Sequence, residues 1–248
     1  MEIARGPGGL GATAVPCPGA AATVAATDPR PSMPPLLAVE RRDLADTARR
    51  MVRDGLVIGT AGNLSVRSGD LVAVTPSAVD YDALTPELIG VHDLDGAPVE
   101  AAMAPTSELP MHLAVYRAQH AARAVVHTHA LNATAVSTLT DAVPSVHYLL
   151  ALFGGPVRVT PYRTYGTQEL AAVAAHGLTA SRGVLLANHG TLVRGGTLAE
   201  AYDLTRHLEW LCELYLKARA AGTPRLLSDE QIAETAERLH DYAPRTTS

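Results

Sequence analysis

The chain has 248 residues, of which 47% are hydrophobic and 18% are charged, and its formal net charge is −5. This length allows one large domain with a well-buried core. The acidic balance gives no broad basic surface, which argues against a general nucleic-acid-binding or membrane-surface role, and no apolar run approaches the ~18 residues of a membrane-spanning helix.

The first 35 residues differ in composition from the rest of the chain. They are rich in Gly, Ala, Pro and Thr and have no apolar periodicity, so residues 1–35 are predicted to form a disordered tail. They lack the basic start and continuous apolar core of a secretory signal, and either Met1 or Met33 fits as the initiating residue. With Cys17 in this tail and Cys212 as the other cysteine, a disulfide framework is not expected, and a cytoplasmic location is predicted.

The first half of the remaining chain alternates one helix with short strands. Apolar residues at helical spacing predict an amphipathic helix from Leu36 to about Leu56. The loop 59–65, Gly-Thr-Ala-Gly-Asn-Leu-Ser, predicts a turn entering a strand, and its backbone N–H groups either bind an anion or serve only the turn. Further short strands at 71–74 and before the Asp95-Gly96 turn indicate an antiparallel part of a sheet.

The second half alternates helices with buried strands. A helix is predicted from Thr106 or Ser107, as capping residue, to about Gln119, and another from Asn132, as its own cap, to Leu139. A strand or helix start is expected at 146–148, strands at 123–129, 157–160 and 183–187, and helices at 167–178, 198–220 and 228–239. This order predicts an α/β fold with a mixed sheet between helical layers.

The strand that ends in Val-Val-His-Thr-His carries the strongest functional signal. Side chains alternate along a strand, so His127 and His129 are expected on the same face. Two imidazoles with a third brought in by folding make the usual three-ligand set of a catalytic metal. Glu108 either adds a carboxylate, as ligand or base, or only caps its helix. Six further histidines receive no role, because they fall in predicted helices or exposed turns: His92, His112, His120, His176, His207 and His240.

Other metal folds also use a His-X-His pair on a strand. Cupins carry it in an all-β barrel, which the predicted helices contradict. Amidohydrolases carry it near the start of a (β/α)8 barrel, for which this chain is barely long enough and has its elements in the wrong order.

Taken together, the motifs identify a family. The sequence resembles the class II aldolase/adducin family from about Leu36 to Ala220, and within it the members that act on fuculose phosphate. The resemblance rests on the 59–65 loop, on Thr-Pro-Ser at 75–77, Ser-Glu at 107–108, His-Thr-His at 127–129, His-Tyr at 147–148, Tyr-Gly-Thr at 165–167 and Asn-His-Gly at 188–190. It implies a three-layer α/β/α fold with a central mixed, largely antiparallel sheet over residues 36–225, followed by a C-terminal helix and tail at 226–248.

The resemblance also implies a cofactor and a reaction. One Zn²⁺ per subunit would be held by His127, His129 and His189, with Glu108 as a fourth ligand that swings off to act as base. The implied reaction is reversible cleavage of a ketose 1-phosphate, fuculose 1-phosphate or a 5-deoxypentulose 1-phosphate, to dihydroxyacetone phosphate and a small aldehyde. Tyr148 would protonate the aldehyde oxygen from a neighbouring subunit, which implies a homotetramer with its sites between subunits.

A phosphate pocket is implied as well. Its residues by resemblance are Gly62, Asn63, Ser77, Ala78, Thr106 and Ser107. Relatives often have Gly where this chain has Ala78, and Gly accepts backbone geometry that Ala resists. A second tyrosine of the family lies in its C-terminal tail, where Tyr242 is a candidate by position alone.

Three alternatives share the fold. The ribulose-phosphate 4-epimerases perform the same bond cleavage but carry Asp where this chain has Glu108, which favours the aldolase. A dehydratase acting on methylthioribulose phosphate is another zinc enzyme of the family. An adducin-like binding module would have lost the zinc histidines, and all three are present here. The predicted partner is therefore a small phosphorylated sugar, with neither nucleic acid nor membrane.

Overall fold

A computed structural model describes residues 34–241 of the chain. The predicted disordered tail up to residue 33, the alternative start at Met33, and Tyr242 all lie outside the described residues. Within them, no helix is long and apolar enough to cross a membrane.

A single sheet of eight strands runs through the domain, in the order β4-β3-β2-β1-β5-β8-β7-β6. Every neighbouring pair is antiparallel except β6 and β7, which are parallel. The predicted mixed, largely antiparallel sheet is therefore confirmed. The strands are β1 (Asn63–Ser68), β2 (Leu71–Val74), β3 (Gly90–Asp93), β4 (Pro98–Glu100), β5 (Ala124–Thr128), β6 (Val159–Thr160), β7 (Gly183–Leu186) and β8 (Gly190–Gly195).

Helices cover both faces of this sheet. They are α1 (Ala38–Arg53), α2 (Leu109–Ala118), α3 (Leu131–Ser137), α4 (Gln168–Gly177), α5 (Leu198–Ala221) and α6 (Asp229–Asp241), with 3₁₀ turns at Pro86–Leu88 and Tyr148–Phe153. Alternate residues of β5 show the layering. Ala124 and Val126 pack in one core with α1, α3 and α5, whereas Val125 packs in a second core with α2 and α4. The predicted three-layer α/β/α arrangement is confirmed.

Two local predictions were wrong in detail, and one with two alternatives was decided. Helix α2 begins after Glu108, not at Thr106 or Ser107, although the Thr106 hydroxyl accepts a hydrogen bond from the Glu108 N–H at 3.2 Å. Of the strand or helix start expected at 146–148, the helix start is observed: a 3₁₀ helix begins at Tyr148, and the His147 ring accepts from the Leu149 N–H. The strand expected over 157–160 is formed only at its last two residues.

The start of α3 differs for a tertiary reason. Asn132 is inside the helix and does not cap it, because the N-cap position is Ala130. The exposed N–H groups of this helix start are satisfied by Glu209 on α5, whose carboxylate accepts from the backbone N–H of Asn132 at 2.9 Å and of Ala133 at 2.8 Å. The Glu209 carboxylate, from a helix distant in sequence, therefore caps the N-terminus of α3 in place of a local N-cap side chain.

Strand pairing brings the functional motifs to one edge of the sheet. In the antiparallel registers, His127 near the end of β5 lies opposite Asn63 at the start of β1, and Thr128 lies opposite Thr191 at the start of β8. The short connection between β7 and β8 carries Asn188 and His189. The glycine-rich loop, the histidine pair and the Asn-His-Gly motif consequently meet at this edge.

Candidate active site

Three histidines meet at the end of β5. His127 is the penultimate residue of the strand, His129 follows the strand, and His189 lies in the connection before β8. Their ring centroids are 4.8 to 4.9 Å apart in every pair, and the Nε2 atoms of His127 and His129 are separated by 3.0 Å. One ligand atom from each, together with one carboxylate oxygen of Glu108, all lie within 4.8 Å of one another.

The sheet itself fixes the His127 imidazole. Its Nδ1 lies 2.7 Å from the backbone carbonyl oxygen of Thr191 on β8. A carbonyl only accepts hydrogen bonds, so Nδ1 must carry the proton. Nε2, the ring atom that faces His129 and Glu108, is therefore the atom that would bind a metal. A hydrogen bond of this kind commonly orients a metal-binding histidine.

Glu108 closes the cluster from the start of α2. Its Oε2 lies 3.0 Å from His127 Nε2 and accepts a hydrogen bond of 2.9 Å from the Asn63 side-chain amide. Its Oε1 lies 3.5 Å from His189 Nε2 and is buried without a hydrogen-bond partner among the described residues. A buried carboxylate oxygen without a partner is costly, and a cation at this point would satisfy it.

The electrostatics of the cluster favour the ligand forms of these side chains. Burial alone would raise the pKa of Glu108, but the charge and hydrogen bond of His127 and the amide of Asn63 hold it well below its usual range. Burial and the nearby charge of His127 lower the pKa of His129 to about 4, and the same causes lower that of His189 to about 4. At neutral pH the carboxylate is therefore charged and these two imidazoles keep free lone pairs, which a metal requires.

A cleft of about 410 Å³ opens beside this cluster. Besides Glu108, His129 and His189, it is lined by every residue that the resemblance assigned to a phosphate pocket: Gly62, Asn63, Ser77, Ala78, Thr106 and Ser107. The glycine-rich loop approaches β5 closely at Gly62, whose φ is +80° and where a Cβ would lie 2.8 Å from the backbone oxygen of His127. Only glycine fits there, so the loop can pass close to β5.

Among the predicted site residues that the structure describes, only Tyr148 lies neither in the Glu108–histidine cluster nor on the wall of the cleft. It begins the 3₁₀ turn Tyr148–Phe153 and is 46% exposed. It is not among the described residues that line the cleft. Its ring stacks on that of His147, with centroids 4.3 Å apart.

Some residues of the site were not anticipated from the sequence. The cleft is also lined by Tyr162, Arg163, Tyr165 and Asn188. His112, which received no role in the sequence analysis, is fully buried behind Asn63 and hydrogen-bonded to it. One signal was available, because His112 follows Glu108 by four residues and so lies on the same face of α2.

Comparisons with known proteins agree with this geometry. The family model described as the Class II Aldolase and Adducin N-terminal domain matches residues 42–216. The chain is 36% identical over 209 residues to the 5-deoxy-D-ribulose 1-phosphate aldolase of Bacillus thuringiensis serovar kurstaki, covering 84% of this chain and 98% of that protein. It is 39% identical over 206 residues to the L-fuculose phosphate aldolase of Escherichia coli K12, covering 82% of this chain and 95% of that one.

Solved structures give the same result. A structure of L-fuculose 1-phosphate aldolase superposes with a TM-score of 0.79 at 36% identity, covering 82% of this chain and 96% of that one. The L-fuculose 1-phosphate aldolase of Thermus thermophilus superposes with a TM-score of 0.67 at 30% identity, covering 76% of this chain and 100% of that one. The shared domain, the histidine cluster and these relatives together show that the chain belongs to the class II aldolase and adducin family.

Proposed function

We propose that the chain is a Zn²⁺-dependent class II aldolase that reversibly cleaves a ketose 1-phosphate to dihydroxyacetone phosphate and a small aldehyde. The observation that carries this proposal is the convergence of Glu108 and three histidines beside a cleft lined by small polar groups. Relatives named for 5-deoxyribulose 1-phosphate and for fuculose phosphate are similarly close, so we take both sugars as candidate substrates.

The ligand set supports zinc. Three imidazole nitrogens and one carboxylate oxygen suit a borderline cation that accepts four ligands, and His127, His129, His189 and Glu108 would hold one ion per subunit. When bound, Zn²⁺ supplies a Lewis acid that polarises the ketone and offsets the negative charge left when the C3–C4 bond breaks.

The phosphate would bind at the loop side of the cleft. The backbone N–H groups of Gly62, Ala78 and Ser107 have no hydrogen-bond partner among the described residues, and all three residues line the cleft. N–H groups grouped in a concavity attract anions. The hydroxyl of Thr106 and the side-chain amide of Asn63 lie along the same wall.

Proton transfer is assigned to Glu108 and Tyr148. Glu108 is ionised, and its Oε1 makes no hydrogen bond among the described residues, so it can take a proton from dihydroxyacetone phosphate in the synthetic direction. Tyr148, exposed and outside its own chain's cleft, would protonate the aldehyde oxygen in the site of a neighbouring subunit. In the cleavage direction these steps reverse: the proton of the C4 hydroxyl passes to the Tyr148 oxygen as the C3–C4 bond breaks, and Glu108 returns a proton to C3. This proposal requires an oligomer, for which we propose the homotetramer that the family resemblance implies, in the cytoplasm.

The test is product release by the zinc-loaded protein. Fuculose 1-phosphate and 5-deoxyribulose 1-phosphate are supplied separately, and dihydroxyacetone phosphate is measured by a coupled reduction. We expect release from at least one sugar, abolished by a chelator and restored by Zn²⁺. His127→Ala should lose both the bound metal and the activity, and Glu108→Gln should fold but lose proton exchange on dihydroxyacetone phosphate. Epimerisation of a pentulose 5-phosphate at C4, without release from either sugar, would instead place the chain with the epimerases.

A further inference from the structure

A buried chain of hydrogen bonds runs from Glu108 into the second core. Asn63 Nδ2 lies 2.9 Å from Glu108 Oε2, and His112 Nε2 lies 2.5 Å from Asn63 Oδ1. Beyond the imidazole, His112 Nδ1 lies 2.7 Å from the Ser65 hydroxyl, which lies 2.8 Å from the Tyr116 hydroxyl. All five side chains belong to residues that are at most 6% exposed.

The two ends of this chain determine its donors and acceptors. An ionised carboxylate only accepts, so Asn63 must direct its NH₂ group towards Glu108 and its oxygen towards His112. His112 Nε2 must therefore carry the proton and donate. His112 Nδ1 is then bare and must accept from the Ser65 hydroxyl. The Ser65 hydroxyl oxygen in turn accepts from the Tyr116 hydroxyl, whose proton is shared with the Ser65 backbone oxygen at 3.0 Å.

This assignment requires a neutral imidazole with its proton on Nε2. Burial lowers the pKa of His112 to about 3, so the ring is neutral at physiological pH. Both ring nitrogens are then matched, one as donor and one as acceptor, and no buried polar atom of the ring is left without a partner.

We propose that His112 is a positioning residue for the aldolase reaction, because it fixes the Asn63 amide with its NH₂ group towards Glu108 and the cleft. The inference rests on the proposed function, in which Glu108 is the base. In the flipped amide, the Asn63 oxygen would face the Glu108 carboxylate at the 2.9 Å now occupied by a hydrogen bond, and the two oxygens would repel each other. The second hydrogen of Asn63 Nδ2 remains available on the wall of the cleft.

The geometry distinguishes this role from two others. A proton relay would need an outlet to solvent, but the chain of bonds ends at Tyr116, which is fully buried and donates to a backbone oxygen. A histidine that only fills the core would have no reason to bond a cleft-lining side chain. His112 instead acts on the base through one intervening amide.

The test compares two substitutions of His112 in the zinc-loaded protein. His112→Gln places an amide nitrogen near the position of Nε2 and keeps the donor, whereas His112→Leu removes it. We expect His112→Leu to lower kcat by about 10-fold or more, with a much smaller change in KM, as for other groups that orient a metal-site ligand. His112→Gln should recover most of this loss. Zinc content and Tm are recorded for each variant.

A matched control separates positioning from stability. Val115→Ala removes two methyl groups from a fully buried side chain of the same helix, and Val115 is not part of the hydrogen-bonded chain. Val115→Ala should lower Tm by an amount similar to His112→Leu while leaving kcat unchanged. In an Asn63→Ala background, His112→Leu should cause little further loss of kcat, because the group through which it acts has been removed. Equal kcat for the Leu and Gln variants, or additive losses in the double variant, would overturn the proposal.

One measurement is independent of the proposed reaction. Nitrogen-15 NMR of histidine-labelled protein reports which ring nitrogen of His112 carries the proton. We expect the neutral Nε2–H form at pH 7, and a slowly exchanging Asn63 side-chain amide that is kept in His112→Gln and lost in His112→Leu. An Nδ1–H or a charged ring would overturn the inference whatever the activity. If the spectra are as expected but the protein cleaves neither sugar, the proposed reaction is contradicted. The proposed arrangement of His112 and Asn63 would still hold.

Discussion

Ala78 has a left-handed backbone conformation, with φ of +56°, on the wall of the cleft. A Cβ makes this conformation unfavourable, and glycine adopts it freely. We therefore expect Ala78→Gly to raise the free energy of unfolding by about 0.5–1 kcal/mol, although glycine usually destabilises. Chemical denaturation of the zinc-loaded protein measures this change.

Ala61 provides the control for Ala78→Gly. It lines the same cleft and is not among the residues with positive φ. Ala61→Gly should lower the free energy of unfolding by roughly 0.5–1 kcal/mol, because only the unfolded chain gains freedom. Changes of the same sign in both variants would show that φ at position 78 is not a source of strain.

Arg163 gives the cleft its positive charge. It is the only lysine or arginine among the described residues that line the cleft, and it forms no ion pair with a described carboxylate. A sugar phosphate carries about two negative charges at neutral pH. Arg163→Ala should raise KM by about 3- to 10-fold at low ionic strength, and the difference should shrink as added salt screens the exposed charge.

The KM experiment has two comparison variants. Arg163→Lys keeps the charge and should stay close to the wild type. Arg158→Ala removes an exposed arginine that lies outside this cleft, and its KM should be unchanged. A KM for Arg163→Ala that is independent of salt would exclude a contact through charge.

At the scale of the elements, periodicity predicted most helices and strands because it reflects burial directly. The helix at 38–53, the strand at 124–128 and the helix at 198–221 all lie within about three residues of the predicted bounds. Sequence patterns did not predict hydrogen-bond partners that lie far apart along the chain. Glu209 reaches the start of α3 across 77 residues, so local cap chemistry pointed to Asn132 instead.

The same reasoning applies to the site. The metal cluster was predictable because alternation on a strand places His127 and His129 together, and the family motif supplied His189 and Glu108. For His112, the spacing of four residues from Glu108 was the one signal in the sequence, and it does not show the hydrogen bond to Asn63, which lies 49 residues earlier in the chain. Arg163 and its two tyrosine neighbours are brought to the cleft by a loop, and loops have no periodicity to read.

Glu209 links α5 to the helix that follows the metal site. Its carboxylate accepts from two backbone N–H groups and from the Asn132 side chain at 2.7 Å. Glu209→Ala should lower the free energy of unfolding by about 1–2 kcal/mol, as for the loss of a charged helix cap. Helix α3 begins two residues after His129, so zinc should also be released at a lower chelator concentration.

Glu213 is the matched residue one turn further along α5. It pairs with Lys217 at 2.6 Å on the surface, an interaction worth at most about 0.5 kcal/mol. Glu213→Ala should therefore leave both denaturation and zinc retention almost unchanged. If the two glutamate variants lose equal stability, the cap on α3 contributes nothing beyond an ordinary surface charge.

At the scale of the whole molecule, one chain holds all four proposed metal ligands but not every residue of the proposed site. Glu108 and the three histidines converge in one subunit. Tyr148 is 46% exposed and lies near other exposed or half-buried rings, since the His147 ring contacts Trp210 with centroids 5.0 Å apart. An exposed aromatic group of this kind is typical of a surface that meets another copy of the chain.

Mixed oligomers test whether sites are shared between subunits. Glu108→Gln and Tyr148→Phe should each be inactive alone, because one lacks the base and the other the proton donor. If Tyr148 acts in a neighbour's site, co-expressing the two differently tagged chains should restore activity. Each site would take Glu108 from one subunit and Tyr148 from its neighbour. In a ring assembled at random from equal amounts of the two chains, both residues are present in roughly a quarter of the sites.

The purified mixed species gives the decisive result. Its activity should be near that quarter of the wild-type value, and titrating the ratio of the two chains should give a maximum at equal amounts. If Tyr148 instead served its own subunit, every chain in the mixture would lack one of the two groups, and activity would stay at the level of the single variants. If Tyr148→Phe alone keeps its activity, Tyr148 is not the proton donor, and Tyr162 or Tyr165, which line the cleft of their own chain, would be the tyrosines to test.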